Sequence, residues 1–107
     1  MIELLDIILR MDEMDSLPVK YTELTPAMRR EVRERYIEVQ GGNCYHCGEP
    51  LNGKARADVL QKKVTARLFP PTFFKWPVHL HHSHKTGMTI GAVHCHCNAV
   101  LWQYHGE

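Results

Sequence analysis

The segment HLHHSHKTGMTIGAVHCHCNAVLW, residues His79–Trp102, contains six of the eight histidines and two of the four cysteines of the chain. Its order of residue types predicts a strand over 77–82, a glycine-containing loop with a returning strand over 83–91, and a helix that begins within 92–104. Histidine and cysteine are also the side chains that zinc prefers. The segment therefore predicts a β-β-α unit that binds a metal.

The other two cysteines form a second cluster, Cys44-Tyr45-His46-Cys47-Gly48. A tight Cys-x-x-Cys turn directs two sulfurs at one point and provides two of the four ligands of a tetrahedral zinc site. The pair His94-x-x-Cys97 repeats the same two-residue gap. The favoured ligands of a structural Zn²⁺ are therefore Cys44, Cys47, His94 and Cys97, and Cys95 remains an alternative to His94.

The composition is that of one globular domain: 107 residues, 44% of them hydrophobic and 23% charged. The first ten residues, MIELLDIILR, are apolar, but they lack a basic leader and are too short to span a membrane. We expect a cytoplasmic protein without a membrane partner. In such a compartment, paired cysteines indicate metal binding rather than disulfides.

Charge is unevenly distributed along the chain. Residues 1–25 carry two basic and six acidic side chains, whereas residues 26–107 carry eleven basic and six acidic ones. Between Asp58 and Glu107 there is no carboxylate side chain, while five basic residues lie there, Lys62, Lys63, Arg67, Lys75 and Lys85. This polarity favours a polyanionic partner such as a nucleic acid.

The region before the first cysteine pair predicts two helices within residues 1–40. Residues 2–14 carry apolar side chains at helical spacing, which predicts a helix packed on the domain or, alternatively, a homodimer contact. In the second helix, Thr25 is the expected N-cap, Pro26 the first helical residue, and Gly41 with Gly42 the end. Its predicted buried stripe is Met28, Val32, Tyr36 and Val39. Its arginines are assigned to a solvated face, with contact to DNA as the alternative. Residues 54–77 predict a loop-rich insertion with one short strand near Thr65–Phe69.

Several histidines remain after the zinc set is chosen, and two of them, His81 and His82, are adjacent in a predicted strand. Adjacent side chains of a strand point to opposite faces, so one histidine can bind a metal while the other acts elsewhere. Histidine exchanges a proton near neutral pH. A metal beside a histidine base on a basic surface is typical of phosphodiester hydrolysis.

YIEVQGGNCYHCGEPL (36–51) together with LHHSHKTGMTIGAVHCHCNAVL (80–101) resembles the HNH endonucleases, also called His-Me finger or ββα-metal nucleases. The resemblance is greatest to the phage recombination endonuclease VII branch, and it covers residues 36–52 and 79–101. It implies an α+β fold: a small zinc-stapled ββα-metal domain over residues 1–107. The helical part would occupy 1–40, and the zinc-bound core would occupy 43–107.

The resemblance also implies roles for individual residues. His82 matches the general base, His81 the preceding metal-binding residue, Asn98 the asparagine of the catalytic metal site, and His84 the second histidine of the loop. The branch has an aspartate where this chain has His81, and a cysteine where it has His94. The expected catalytic cation is Mg²⁺, Mn²⁺, Ni²⁺ or Zn²⁺, and the uncharged donors His81 and Asn98 favour the last three over Mg²⁺.

The function expected from this resemblance is metal-dependent DNA hydrolysis that leaves a 5′-phosphate and a 3′-hydroxyl, in a phage-infected or host bacterial cell. A non-catalytic zinc module that contacts nucleic acid or protein is the main alternative. It explains the cysteines and the basic charge, but it assigns no role to His81, His82, His84 or Asn98. A third hypothesis, a histidine cluster that stores metal, assigns no role to the Lys85-Thr86-Gly87 loop.

Overall fold

The computed structural model of the protein describes residues 17–106, which form an α+β domain around a two-stranded antiparallel sheet. Its regular elements in chain order are helix α1 (Pro26–Val39), helix α2 (Ala57–Leu60), strand β1 (Val78–His82), strand β2 (Thr89–His94) and helix α3 (Cys95–His105). The predicted helix over 2–14, and with it the predicted homodimer contact, lies outside the described residues. Three 3₁₀ helices complete the list: Tyr21–Glu23, Ala66–Leu68 and Phe73–Lys75.

Helix α1 begins and ends where the sequence predicts. The Thr25 hydroxyl accepts a hydrogen bond from the Met28 amide at 3.2 Å, and Pro26 occupies the first turn, where its missing N–H costs no helical bond. Gly41 and Gly42 follow the helix with positive φ angles of 67° and 80°. Because these conformations are strained for residues with a Cβ, two glycines end the helix cleanly.

The predicted buried stripe of α1 is only half right. Val32 and Tyr36 are buried against the sheet, but Met28 and Val39 are 45% and 58% exposed. The Tyr36 hydroxyl lies 2.9 Å from the Thr89 hydroxyl of the sheet. The Met28 and Val39 side chains lie outside this contact and are largely in solvent.

The side chain of Gln40, the residue that caps α1, connects the helix to β2 and to the first cysteine pair. Its Oε1 accepts from the Ala92 amide at 2.9 Å, and its Nε2 donates to the carbonyls of Ala92 and Asn43 at 2.9 and 2.7 Å. The neighbouring Gly91 leaves space for this contact. A Cβ there would lie 2.8 Å from Gln40 Oε1 and 2.9 Å from Tyr45 Cβ, so no larger residue fits without a shift.

The sheet register determines where the histidines point. Val78 pairs with His94, Leu80 with Ala92 and His81 with Gly91, but His82 pairs with Thr89. The register therefore shifts between His81 and His82, and irregularities of this kind redirect a side chain at the end of a strand. The turn that follows is tight: the Gly87 amide donates to the Ser83 carbonyl at 2.9 Å, and Gly87 has a φ of 75°.

The predicted strand near Thr65–Phe69 is wrong, because this stretch contains the 3₁₀ helix Ala66–Leu68. The Thr65 amide donates to Gln103 Oε1 of α3 at 2.8 Å instead of to a neighbouring strand. The two prolines at 70–71 provide no amide donor, so a strand ladder cannot continue through them. The insertion is held against α3, where Gln103 Nε2 and the Tyr104 hydroxyl donate to the Lys63 carbonyl at 3.0 and 2.7 Å.

The core lies between α1, the sheet and α3. Ala92, Val93, Cys97 and Ala99 are fully buried there. No helix within residues 17–106 has the length and apolar character needed to cross a membrane.

Candidate functional site

The four favoured zinc ligands come together in the structure. Their donor atoms all lie within 4.8 Å of one another, and all four side chains are buried. The first pair is held by a tight turn in which the Gly48 amide donates to the Cys44 carbonyl at 3.0 Å. The second pair comes from the junction of β2 and α3, which is formed by the last residue of the strand and the first turn of the helix. This cluster, which we call the Cys3His site, comprises Cys44, Cys47, His94 and Cys97.

The imidazole of His94 is oriented for metal binding. Its Nε2 donates to the Pro50 carbonyl at 2.8 Å, which leaves the lone pair on Nδ1. Nδ1 faces the sulfurs of Cys47 at 3.5 Å and Cys97 at 3.7 Å. A backbone carbonyl that fixes the tautomer of a ligating histidine is a common partner in metal sites. The donor set of the Cys3His site therefore fits a structural metal such as zinc.

The thiols of the Cys3His site interact strongly. A hydrogen bond from Cys97 lowers the pKa of Cys44 to about 4, and this outweighs the opposing effect of burial. The same contact raises the pKa of Cys97, because a second thiolate would face the first. Thiolates are the form that binds zinc, and a bound cation relieves their mutual repulsion.

Cys95, the alternative ligand, lies outside this cluster. It is half-buried, and burial raises the pKa of its thiol. His96 also points away from the Cys3His site, with Nε2 3.0 Å from the Val59 carbonyl of α2. Successive residues of the helical turn point in different directions, so His94 and Cys97 face the metal site while His96 holds the insertion.

The predicted metal-binding pair of the active site, His81 and Asn98, is in direct contact. His81 Nδ1 lies 3.1 Å from Asn98 Oδ1, and both side chains are buried. Asn98 Nδ2 lies 3.1 Å from His79 Nδ1 on the other side. The amide thus connects two histidines that occupy alternate positions of β1. The site predicted from the sequence does not include His79. Its spacing of two residues from His81 was the signal that could have identified it, because residues i and i+2 of a strand lie on the same face.

The predicted base, His82, lies in a row of ring contacts, of which the one with Tyr21 is stacked. The Tyr21 ring stacks on His82 with centroids 3.7 Å apart and planes 4° apart, and the Arg29 guanidinium lies 4.5 Å from the Tyr21 ring centre. On the other side, His84 lies 4.6 Å from His82 and 3.7 Å from Trp102. We call these five groups the ring column. It brings the two predicted loop histidines, His82 and His84, together.

The surroundings of His82 favour its neutral form. Burial is the largest cause that lowers the pKa of His82, to about 4, and positive charge on His84, His81 and Arg29 adds to the effect. Burial also lowers the pKa of His79. Both imidazoles are therefore uncharged near neutral pH, which is the state in which a histidine can accept a proton.

A cleft of about 460 Å³ opens beside His82 and Asn98. Arg29 and Arg33 of α1 line it, and within residues 17–106 no carboxylate does so. Neither arginine has an ion pair with a carboxylate in the described part of the chain, and the buried Nε of Arg29 has no hydrogen-bond partner there. The expectation that the arginines of α1 form only a solvated face is wrong for these two, which are half-buried.

The basic residues of the insertion lie on the surface. Lys62, Lys63 and Arg67 are exposed, and the ammonium of Lys62 lies 5.1 Å from the ring centre of Tyr104.

Comparisons of the chain with protein-family models, curated proteins and solved structures found no match.

Proposed function

We propose that the protein is a metal-dependent DNA endonuclease of the HNH type, with His82 as the general base. The observation that carries the proposal is the position of His82: a neutral imidazole at a cleft that two arginines line and that, in the described residues, no carboxylate lines. The order of strand, turn, strand and helix beside the Cys3His site supports the HNH assignment.

The proposed reaction is hydrolysis of a phosphodiester. His82 accepts a proton from a water molecule, whose oxygen attacks the phosphorus, and the bond to the 3′-oxygen breaks. The leaving 3′-oxygen takes a proton from solvent, and His82 later releases its proton to solvent. The products are a 5′-phosphate and a 3′-hydroxyl. Stacking on Tyr21 fixes the plane of the His82 ring, and the guanidiniums of Arg29 and Arg33 bind the phosphate oxygens.

His81 and Asn98 are the residues that would hold the catalytic cation. Bound there, Mn²⁺, Ni²⁺, Zn²⁺ or Mg²⁺ would neutralise charge on the phosphate and the leaving oxygen. The chain itself provides two uncharged donors, which favour the three transition metals over Mg²⁺. The contact between His81 and Asn98 holds both side chains in one orientation.

The test is cleavage of supercoiled plasmid DNA across a panel of these cations. We expect His82→Ala to lose about 10²- to 10⁴-fold in rate, which is the contribution of a positioned base. The matched control is His105→Ala, because His105 is an exposed histidine at the end of α3. Both variants should retain zinc and DNA affinity. If His82→Ala cuts as fast as the parent in the same cation, the assigned role is wrong.

The non-catalytic zinc module is the second candidate, and one observation favours it. Both ends of the Asn98 amide contact histidines, so the asparagine is already used within the structure. In that case the Cys3His site holds the fold together and the surface lysines bind nucleic acid, and no catalytic step is needed. A parent protein that binds DNA but cuts none with any cation of the panel would establish this alternative.

A further inference from the structure

The cleft beside His82 has an aromatic wall that general acid–base chemistry does not require. Phe69, Phe73 and Trp76 of the insertion and Trp102 of α3 line it. The Phe73 ring packs against Phe69 at 4.6 Å and against the His79 ring at 4.6 Å, so this wall adjoins the half-buried His79. Trp76 is 61% exposed, which leaves much of its indole accessible.

Positive charge lies beside these rings. Arg29 and Arg33 line the same cleft, and the Lys75 ammonium lies 5.4 Å from the ring centre of Trp76. Accessible rings interleaved with basic side chains are typical of proteins that bind single-stranded nucleic acid, because bases stack on the rings while phosphates meet the charges. An apolar peptide would leave the arginines without a counter-charge, so charge complementarity favours a polyanion.

The size of the cleft is that of a site for a small ligand such as a single base. Its volume of about 460 Å³ lies in the range of about 300–1,000 Å³ found for small-ligand sites. A base inside a duplex has its faces covered by its neighbours, so it cannot stack on a side chain unless it leaves the stack. A duplex would present phosphates to the arginines, but it would leave the aromatic wall uncovered.

We propose that the cleft binds an unstacked base of single-stranded DNA on its aromatic wall, with the adjoining phosphates on Arg29 and Arg33. This inference names the substrate class of the proposed active site and therefore rests on the proposed function. The preferred substrate is a DNA with an unpaired segment at the position of the scissile phosphate.

The test compares the affinity for two labelled DNAs by fluorescence anisotropy: a single strand of about 15 thymidines, the upper site size of a single-strand binding fold, and a duplex of equal length. Zinc-loaded protein is used without added cation, so that binding is measured without cleavage, and both DNAs are measured at one salt concentration. We expect Trp76→Leu to weaken single-strand binding about 5- to 150-fold, the contribution of one stacked base, and duplex binding less than about twofold.

The matched control is Tyr45→Leu. Tyr45 is 60% exposed, close to the exposure of Trp76, but it does not line the cleft. We expect this variant to bind both DNAs like the parent. A second probe is a single strand of abasic sugars, which has no bases to stack. The parent should bind this strand with the same low affinity that Trp76→Leu shows for the thymidine strand. For Trp76→Leu itself, the affinities for the thymidine strand and the abasic strand should be equal.

The outcomes separate this inference from the nuclease proposal. The inference is wrong if Trp76→Leu binds the single strand as tightly as the parent, or if its affinity for the duplex falls as much as its affinity for the single strand. Either result counts against the inference even if the parent cuts DNA. If single-strand binding depends on Trp76 but the parent cuts no DNA, the nuclease proposal is wrong and the inferred ligand stands.

Discussion

Gln40→Ala tests how the metal site is connected to the rest of the domain. The Gln40 side chain makes three hydrogen bonds, one to the Ala92 amide and two to the carbonyls of Ala92 and Asn43. A typical intramolecular hydrogen bond contributes about 0.5–1.5 kcal/mol, so the loss of three costs about 1.5–4.5 kcal/mol. Because Ala92 is fully buried, its amide would lose its partner without gaining water, which favours the upper part of this range.

The free energy of unfolding is measured by urea denaturation with zinc in fixed excess, since zinc binding adds to apparent stability. In a domain of about 100 residues, each kcal/mol corresponds to about 4–8 °C in Tm, so the melting temperature should fall by at least about 6 °C. The control is Gln61→Ala, an exposed glutamine after α2. A loss for Gln40→Ala below about 0.5 kcal/mol, the range of ordinary surface substitutions, would refute the assigned connection.

The remaining predictions concern the metal and pH. Metal analysis of the folded protein should find one tightly held zinc, and circular dichroism should show that chelation unfolds the protein. By the same two measurements, His94→Ala should lose zinc like Cys44→Ser, whereas Cys95→Ala should retain it. In the folded protein the pKa of His82 is lowered to about 4, whereas in the unfolded chain it is about 6.5. As the pH falls from about 6.5 to about 4, the unfolded chain therefore takes up this proton first, and the free energy of unfolding decreases. Urea denaturation at both ends of this window should therefore show a smaller loss for His82→Asn than for the parent, and equal losses would contradict the assigned burial of His82.

The sequence predicts those parts of the structure that depend on neighbours in the chain. The start of α1 follows from a hydroxyl at Thr25 and a proline at 26, both of which act within one turn. The choice of His94 over Cys95 follows from a two-residue gap. The two strands and α3 follow from residue types within one segment. In each case the determining contact spans only a few residues.

The missed contacts join distant parts of the chain. Tyr21 stacks on His82 across about sixty residues, and neither residue alone indicates the other. Arg29 and Arg33 belong to a helix whose mixed charge is typical of a solvated face, and only the tertiary fold turns them towards the cleft. The 3₁₀ helix at Ala66–Leu68 replaces a predicted strand because the hydrogen-bond partner of Thr65 is a side chain of α3.

The insertion has a particular position in the chain: it begins after the first cysteine pair and ends where β1 begins. Both of its ends therefore attach to the rigid part of the domain, and the entropy of closing such a loop changes by only about 0.6 kcal/mol when its length doubles. Three of the four rings of the aromatic wall, Phe69, Phe73 and Trp76, thus lie in the insertion, whereas the proposed catalytic histidines lie outside it. Exchange of residues 54–77 for another segment would place the same histidines beside a different wall and, on the proposed function, would alter which DNA the domain cuts.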